Sequence, residues 1–126
     1  MARIIMAEDD DIVAEIARDA LMAAGHGVGV LGDGAEALRV IKARRPDLVI
    51  LDCNMPALSG LLVLRQMRDS PDLHATPVLV LTGRDSRRDE EIAFFEGADD
   101  YMRKPFEPDE LVFRVEELLA RKAQHG

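Results

Sequence analysis

The chain contains few of the residues that form cross-links or soft metal sites. Its 126 residues include one cysteine, Cys53, and three histidines, His26, His74 and His125, which are scattered without the spacing of metal ligands. A single thiol excludes an internal disulfide. It also argues against sites that need several thiolates, such as structural zinc or an iron–sulfur cluster.

Long apolar runs and an excess of positive charge are absent as well. No run approaches the roughly 20 apolar residues that cross a bilayer, and the apolar segment before Glu8 is too short for a signal peptide. We therefore expect a cytoplasmic protein with no membrane partner. Acidic residues outnumber basic ones by 24 to 16, giving a net charge of −8, which argues against direct nucleic-acid binding and allows a site for a divalent cation.

The residues that are present indicate one globular domain. Apolar residues make up 48% of the chain and charged residues 32%, and the length suits a single hydrophobic core. We predict a single domain over residues 1–126 with a core of about residues 2–122 and a polar C-terminus that frays from Arg121 onward.

Asp52 follows the most informative stretch of the sequence. Residues 48–51 are four consecutive apolar residues bounded by polar and turn residues, which is typical of a strand buried on both faces of a parallel sheet. Pro56 and Gly60 then mark a loop. Open α/β sheets bind ligands at this end of their strands, although a lone aspartate in a loop more often serves as a turn or helix-capping residue.

Apolar runs and helical periodicity alternate along the chain. We predict strands at residues 3–7, 28–31, 48–51, 77–81 and 99–102. Five helices alternate with them, and their predicted boundaries are marked by Gly25, Asp33, Ser59, Ser86, Gly97 and Glu107. Strict alternation predicts an α/β fold with a parallel sheet, right-handed crossovers and helices on both faces.

Helical spacing also predicts which side chains face the core. These are Ile12, Val13, Ile16, Ala17, Ala20 and Leu21 in the first helix, Leu38 and Ile41 in the second, Leu61, Leu64 and Met67 in the third, Ile92 and Phe95 in the fourth, and Leu111, Val115, Leu118 and Leu119 in the fifth. The narrow apolar face of the fourth helix suits a mobile element.

Polar residues recur where the predicted strands end. Glu8 and Asp9 follow the first strand, Asp52 the third, Thr82 the fourth and Lys104 the fifth. Because parallel strands end at one edge of the sheet, these residues are expected to converge in one shallow pocket. Three carboxylates repel one another unless they are neutralised. Lys104 neutralises one, and Mg²⁺, or Mn²⁺ in its place, suits the other two.

The chemistry of such a pocket favours phosphoryl transfer. A carboxylate beside a divalent cation, a lysine and a hydroxyl is equipped to attack phosphorus and to form an aspartyl phosphate. The cation and the lysine would neutralise the negative charge on the oxygens of the transferred phosphoryl group. The protein would therefore act mainly by positioning the reacting groups.

Four motifs along the chain resemble those of the receiver domains of two-component response regulators, the family of the single-domain chemotaxis regulator. They are Glu8-Asp9, the Asp52-Cys53-Asn54-Met55-Pro56 segment with Gly60, Leu81-Thr82-Gly83, and Tyr101-Met102-Arg103-Lys104-Pro105-Phe106. The resemblance covers the whole chain. It implies a flavodoxin-like (βα)5 doubly wound sheet in the order 2-1-3-4-5 and no effector domain within these residues.

The resemblance also implies a role for each matching residue. Asp52 would be the phosphoacceptor, and Asp9, Asp52 and the backbone carbonyl of Asn54 would bind Mg²⁺ directly. Glu8 would bind it through a water molecule. Lys104 would contact the phosphoryl group and precede a cis peptide bond to Pro105.

Thr82 and Tyr101 would form a switch, in which the Thr82 hydroxyl moves to the phosphoryl oxygen and Tyr101 turns inward behind it. Two residues depart from the commoner family pattern. Glu8 stands where an aspartate is more usual, and Gly83 replaces an alanine and adds backbone freedom to the coupling loop.

Several nearby residues have simpler interpretations. Asp10 and Asp11 are expected at the start of the first helix rather than on the metal. Cys53 has no histidine placed to activate it, so a packing role is favoured over a nucleophilic one. Arg84 and Asn54 flank the pocket, where family members tune the rate of autodephosphorylation.

The resulting hypothesis is a phosphorylation-activated switch. A histidine kinase or a histidine phosphotransfer protein would donate to Asp52, and the face between Ser86 and Ala120 would contact the output partner, with Arg84, Arg87 and Arg88 available to an acidic surface. The domain would catalyse only its own phosphotransfer and hydrolysis, and it would be a monomer or a phosphorylation-dependent dimer.

The alternative is a haloacid-dehalogenase-like phosphatase, a true enzyme that also forms an aspartyl phosphate. That class needs a second acid two residues after the nucleophile as general acid. Asn54 occupies this position and cannot protonate a leaving group, and the chain has no room for a cap domain.

Overall fold

Five parallel strands form the centre of the computed structural model, which describes residues 1–83 and 87–125. The strands are β1 (Arg3–Ala7), β2 (Gly27–Leu31), β3 (Leu48–Asp52), β4 (Val78–Thr82) and β5 (Asp100–Arg103). They pair in the order β2-β1-β3-β4-β5, and every neighbouring pair is parallel. The predicted α/β class and strand order are confirmed.

Five helices cover the two faces of this sheet. They are α1 (Asp11–Ala23), α2 (Gly34–Arg44), α3 (Gly60–Asp69), α4 (Arg87–Glu96) and α5 (Pro108–His125). Residues of α1 and α5 share one buried cluster with the sheet, and residues of α2, α3 and α4 share the other. None of the helices in the described residues is long and apolar enough to cross a membrane.

The two central strands explain the apolar runs in the sequence. All five residues of β3 and all five of β4 are buried, because helices cover both faces of the sheet there. Val49 and Leu51 belong to the cluster with α2, α3 and α4, whereas Ile50 belongs to the cluster with α1 and α5.

Polar side chains cap the first three helices. Asp10 caps α1 by accepting from the N–H groups of Ile12 and Val13, Asp33 caps α2 by accepting from that of Glu36, and Ser59 caps α3 by accepting from that of Leu62. Caps at Asp33 and Ser59 were predicted, and Asp10 lies at a helix start as expected. The predicted start of the fourth helix at Ser86 lies outside the described residues.

The predicted core faces of the first and fourth helices and the predicted fraying at the C-terminus were wrong. Helix α1 buries Ala14, Ala17 and Leu21, while Ile12 and Ile16 are 71% and 44% exposed, because its small alanines allow close approach to the sheet.

Helix α4 likewise buries only Ala93 and leaves Ile92 and Phe95 exposed. The C-terminal residues do not fray at Arg121, since α5 continues to His125 and Lys122 Nζ donates to the Ala75 carbonyl over 2.9 Å.

Arg68 joins three separate segments at the end of the sheet opposite the strand ends where Asp52 lies. Its guanidinium donates to the carbonyls of Leu73, His74 and Thr76, to the carbonyl of Gly97 at the end of α4, and to the Asp99 carboxylate. Asp99 also accepts from the Val78 N–H at the start of β4. The side chain is only 16% exposed, so this one residue supplies hydrogen bonds to several backbone carbonyls that lie away from bulk water.

We expect Arg68→Met to lower the free energy of unfolding by about 3 kcal/mol, because the methionine leaves these carbonyls and Asp99 without a charged donor. Urea unfolding followed by circular dichroism measures this in a chain that has no tryptophan. Arg65→Met on the same helix is the matched control, since Arg65 pairs with Glu96 at an exposed position and its loss should cost less. Equal losses in the two variants would contradict the structural role given to Arg68.

Candidate active site

The carboxyl ends of four strands bring the predicted polar residues together. Glu8 directly follows β1, Asp52 is the last residue of β3, Thr82 the last of β4, and Lys104 directly follows β5. One carboxylate oxygen from each of Glu8, Asp9 and Asp52 lies within 4.8 Å of the others. Glu8 and Asp52 are buried, whereas Asp9 is exposed.

Lys104 provides the positive charge that holds the buried pair. Its Nζ lies 2.7 Å from Glu8 Oε1 and donates to Asp52 Oδ2 over 3.0 Å. Burial alone would lower the pKa of Lys104, but the two carboxylates outweigh it and raise this pKa. The backbone N–H of Lys104 donates to the Thr82 carbonyl, and the Lys104–Pro105 bond is cis, as expected.

Burial has a strong effect on the Glu8 carboxyl group. Burial raises its pKa to about 7, although the contact with Lys104 and the hydrogen bond from the Asp10 N–H to Oε2 act in the opposite direction. Its Oε1 is fully buried and lies beside the lysine without a well-aligned hydrogen bond. A buried oxygen with spare acceptor capacity, facing two other carboxylates, suits a hard cation or a water molecule bound to one.

These residues form a donor set that fits a divalent cation. Three carboxylates against one ammonium leave excess negative charge, and oxygen ligands are those that Mg²⁺ prefers. Asp52 keeps its orientation because Oδ1 accepts from the Asn54 N–H over 3.2 Å while Oδ2 accepts from Lys104. Asp10 has its side chain engaged in capping α1, which agrees with its predicted place outside the metal site.

Thr82 and Tyr101 occupy different surroundings in this structure. Thr82 is fully buried and its Oγ1 donates to the Met102 carbonyl over 3.3 Å. Tyr101 is half-buried, and its ring packs edge-on against Phe94 of α4 with 5.5 Å between ring centroids. A hydrogen bond with Glu90, also on α4, raises the pKa of the Tyr101 phenol. The sequence did not identify Glu90 and Phe94 as its neighbours.

Cys53 points into the core rather than into the pocket. It is 3% exposed and belongs to the apolar cluster beneath α2, α3 and α4. Burial, followed by the charges of Asp89 and Asp52, raises the pKa of its thiol to about 12. Both observations favour the packing role.

Two glycines that touch the loop after Asp52 complete the site. Gly60 lies against the carbonyl of Asp52, and Gly34 lies against the carbonyl of Leu58. Gly60 was part of a predicted motif, but Gly34 was missed. The only indication of its role in the sequence is that a glycine directly follows the capping residue Asp33. Arg84, predicted to flank the pocket, lies outside the described residues, and Asn54 is exposed.

Residues 4–116 match the sequence profile of the response regulator receiver domain. Response regulator MprA of Mycobacterium sp. (strain KMS) is 45% identical over 119 residues, which cover 94% of this chain and 51% of that protein. The chain thus spans about half the length of the curated relatives that it matches.

Solved structures are similar over nearly the whole chain. The receiver domain of the Francisella response regulator 1452 has a TM-score of 0.88 and 33% identity, covering 96% of this chain and 98% of that one. The receiver domain of the sensor histidine kinase PA1611 from Pseudomonas aeruginosa has a TM-score of 0.87 and 27% identity, covering 94% and 98%. The latter structure contains a magnesium ion coordinated in its active-site cleft.

We expect Cys53 to resist thiol reagents while the protein is folded, because its sulfur is buried and a raised pKa keeps it protonated at pH 8. Reaction with Ellman's reagent, followed in native buffer and in guanidinium chloride, measures this directly. The thiol should react only after the protein unfolds. Rapid labelling of the folded protein would restore the nucleophile hypothesis.

Proposed function

Since this chain belongs to the response regulator receiver domain family of two-component systems, we propose that it is a switch activated by phosphorylation of Asp52. The observation that carries this proposal is the position of the Asp52 carboxylate. It ends a buried strand beside Glu8 and Asp9 and within 3.0 Å of Lys104 Nζ. A carboxylate at this edge, with a lysine on one side and two acids that can share a cation with it on the other, is placed to act as a nucleophile.

The proposed reaction transfers a phosphoryl group from a phosphohistidine. An Asp52 carboxylate oxygen attacks phosphorus, a P–O bond forms, and the P–N bond breaks with its electron pair leaving on the imidazole. Lys104 moves its ammonium contact from Asp52 Oδ2 to an oxygen of the incoming group. Glu8, buried behind it, keeps the ammonium in place.

Asp9, Asp52 and the backbone carbonyl of Asn54 would hold Mg²⁺ directly, and Glu8 would hold it through water. The bound ion would neutralise the phosphoryl oxygens as charge shifts during transfer. The magnesium in the related PA1611 receiver domain supports this assignment. Mn²⁺ would substitute because it prefers the same oxygen ligands.

Thr82 and Tyr101 would report the phosphorylated state. The Thr82 hydroxyl would exchange its Met102 carbonyl acceptor for a phosphoryl oxygen, and Tyr101 would leave Glu90 and Phe94 and turn inward. The phosphoryl group thus biases an equilibrium between two arrangements.

A histidine kinase or phosphotransfer protein is the proposed donor. The output partner would bind the face between Ser86 and Ala120, which includes the exposed Phe95 and Phe113. The chain would be a monomer or a phosphorylation-dependent dimer. The domain would catalyse only its own phosphotransfer and hydrolysis. A haloacid-dehalogenase-like phosphatase needs a general acid at position 54, and the amide of Asn54 is too weak an acid to protonate a leaving group, so that alternative is disfavoured.

Asp52→Asn should abolish labelling by acetyl phosphate in the presence of Mg²⁺, because an amide cannot act as the nucleophile. Asp10→Asn is the matched control, since asparagine caps a helix as well as aspartate does and this variant should be labelled like the wild type. Phos-tag electrophoresis measures both. Labelling that survives in Asp52→Asn would place the acceptor elsewhere, and rapid multiple turnover of small phosphate esters would favour the phosphatase.

Beryllofluoride with Mg²⁺ should shift the amide signals around Thr82 and Tyr101 in two-dimensional NMR spectra, because it mimics the phosphoryl group. Thr82→Ala should lose the shifts near Tyr101 while keeping those near Asp52. Thr76→Ala, which truncates a buried threonine at the other end of β4, should behave like the wild type. Unchanged signals at both switch residues in the wild type would contradict the proposed switch.

A further inference from the structure

We propose that Gly34, which lies on α2 outside the pocket, is a positioning residue for the β3–α3 loop, residues 53–59. The inference rests on the proposed function, because it concerns the loop that carries the Asn54 carbonyl and follows the acceptor Asp52. Gly34 would act by holding this loop where the carbonyl and the Asp52 carboxylate keep the spacing that a cation requires.

Gly34 makes two backbone contacts with the loop. Its N–H donates to the Pro56 carbonyl over 3.1 Å. A Cβ placed on Gly34 would lie 1.7 Å from the carbonyl oxygen of Leu58 and 2.7 Å from its carbon. The first turn of α2 therefore lies in direct contact with the loop backbone, and only a residue without a side chain fits between them.

The other end of the loop is fixed to α3. A Cβ on Gly60 would lie 1.9 Å from the Asp52 carbonyl oxygen, and the Gly60 N–H donates to the Cys53 carbonyl over 3.2 Å. Ser59 also caps α3. The loop is therefore held between two helices, with Gly34 on one side and Gly60 on the other.

Ala57 has a strained backbone conformation within this loop. It has a φ of 68°, in the left-handed region, and it lies between the Pro56 carbonyl and the Leu58 N–H, which are joined by a hydrogen bond of 2.8 Å. Such a conformation is costly for a residue with a Cβ. It persists because the neighbouring contacts impose it, and the contacts of Gly34 with Pro56 and Leu58 are among them.

A side chain at position 34 would push the loop and the first turn of α2 apart. Cβ atoms essentially never lie closer than 3.0 Å to such an atom, so the Cβ and the Leu58 carbonyl oxygen must separate by at least 1.3 Å, the difference between 3.0 and 1.7 Å. The exposed loop, rather than a helix packed on the sheet, is expected to take up most of this movement. Because Gly60 fixes the far end, the displacement passes through Ala57 and Pro56 toward Asn54. Asn54 also donates to Asp52 Oδ1, so both the carbonyl ligand and the carboxylate would shift.

A displacement of this size matters for the proposed chemistry. Mg²⁺ demands nearly ideal octahedral geometry with short oxygen distances, and a misplacement of about 1 Å can reduce a rate by about 100-fold. We therefore expect Gly34→Ala to weaken Mg²⁺ binding and to slow acetyl phosphate labelling by about tenfold or more.

Gly29→Ala is the matched control. It makes the same chemical change on β2, where a Cβ would meet nothing within 4 Å, so its Mg²⁺ affinity and labelling rate should equal those of the wild type. Mg²⁺ alone, titrated against the amide signal of Asn54, gives the affinity without relying on activity. Wild-type affinity in Gly34→Ala would overturn the proposal, while labelling of Asp52 in the wild type would leave the proposed function standing.

A second variant separates positioning from folding. Ala57→Gly relieves the left-handed strain, so the double variant Gly34→Ala/Ala57→Gly should regain stability against urea without regaining Mg²⁺ affinity. If stability and affinity recover together, Gly34 serves folding alone and the proposal fails.

A measurement on the wild type tests the same coupling in reverse. If the contact between Gly34 and Pro56 favours Mg²⁺ binding, then Mg²⁺ must stabilise that contact to the same extent. Mg²⁺ should slow hydrogen exchange at the Gly34 N–H more than at the Arg45 N–H, which bonds to Ile41 at the other end of α2. Equal slowing at both amides would contradict the proposal.

Discussion

The contact of one ammonium with two buried carboxylates is the constraint on which the site depends. Lys104 Nζ lies within 3.0 Å of both Glu8 and Asp52, and Asp9 lies beside them at the surface. Without a cation these acids would repel one another in surroundings that stabilise charge poorly. One lysine leaves negative charge uncompensated, and this excess is what makes the pocket suitable for a divalent ion and for an anionic group brought in with it.

The fold supplies the positions from which these charges meet. Strands β3 and β4 are buried throughout, so polar groups attached to them can reach solvent only at the ends. Parallel pairing places all the carboxyl ends on one edge. Helix α3 then starts directly against the end of β3, because Gly60 carries no side chain that would keep it away. Gly34 likewise has no side chain, and this allows α2 to approach the loop closely.

A series of contacts joins this pocket to the surface through β4, β5 and α4. Thr82 bonds to the backbone of β5, and Tyr101 on β5 contacts Glu90 and Phe94 of α4. Within the described residues α4 buries a single side chain, Ala93. At its C-terminal end, Arg65 and Arg68 of α3 bind Glu96 and Gly97. A helix with so few buried side chains is an element of low local stability, which is what the proposed switch requires.

The sequence by itself determined the alternation of strands and helices, the strand that carries Asp52, two of the helix caps and the four groups of polar residues that meet. Each follows from local periodicity or from a polar residue placed after an apolar run. The family resemblance added the strand order and the cis bond at Lys104. Only the tertiary structure decided that Ile12, Ile16 and Phe95 face outward. It also decided that Tyr101 packs on α4 and that Gly34 contacts the loop backbone. These depend on how closely distant segments approach one another, and helical spacing within one segment does not contain that information.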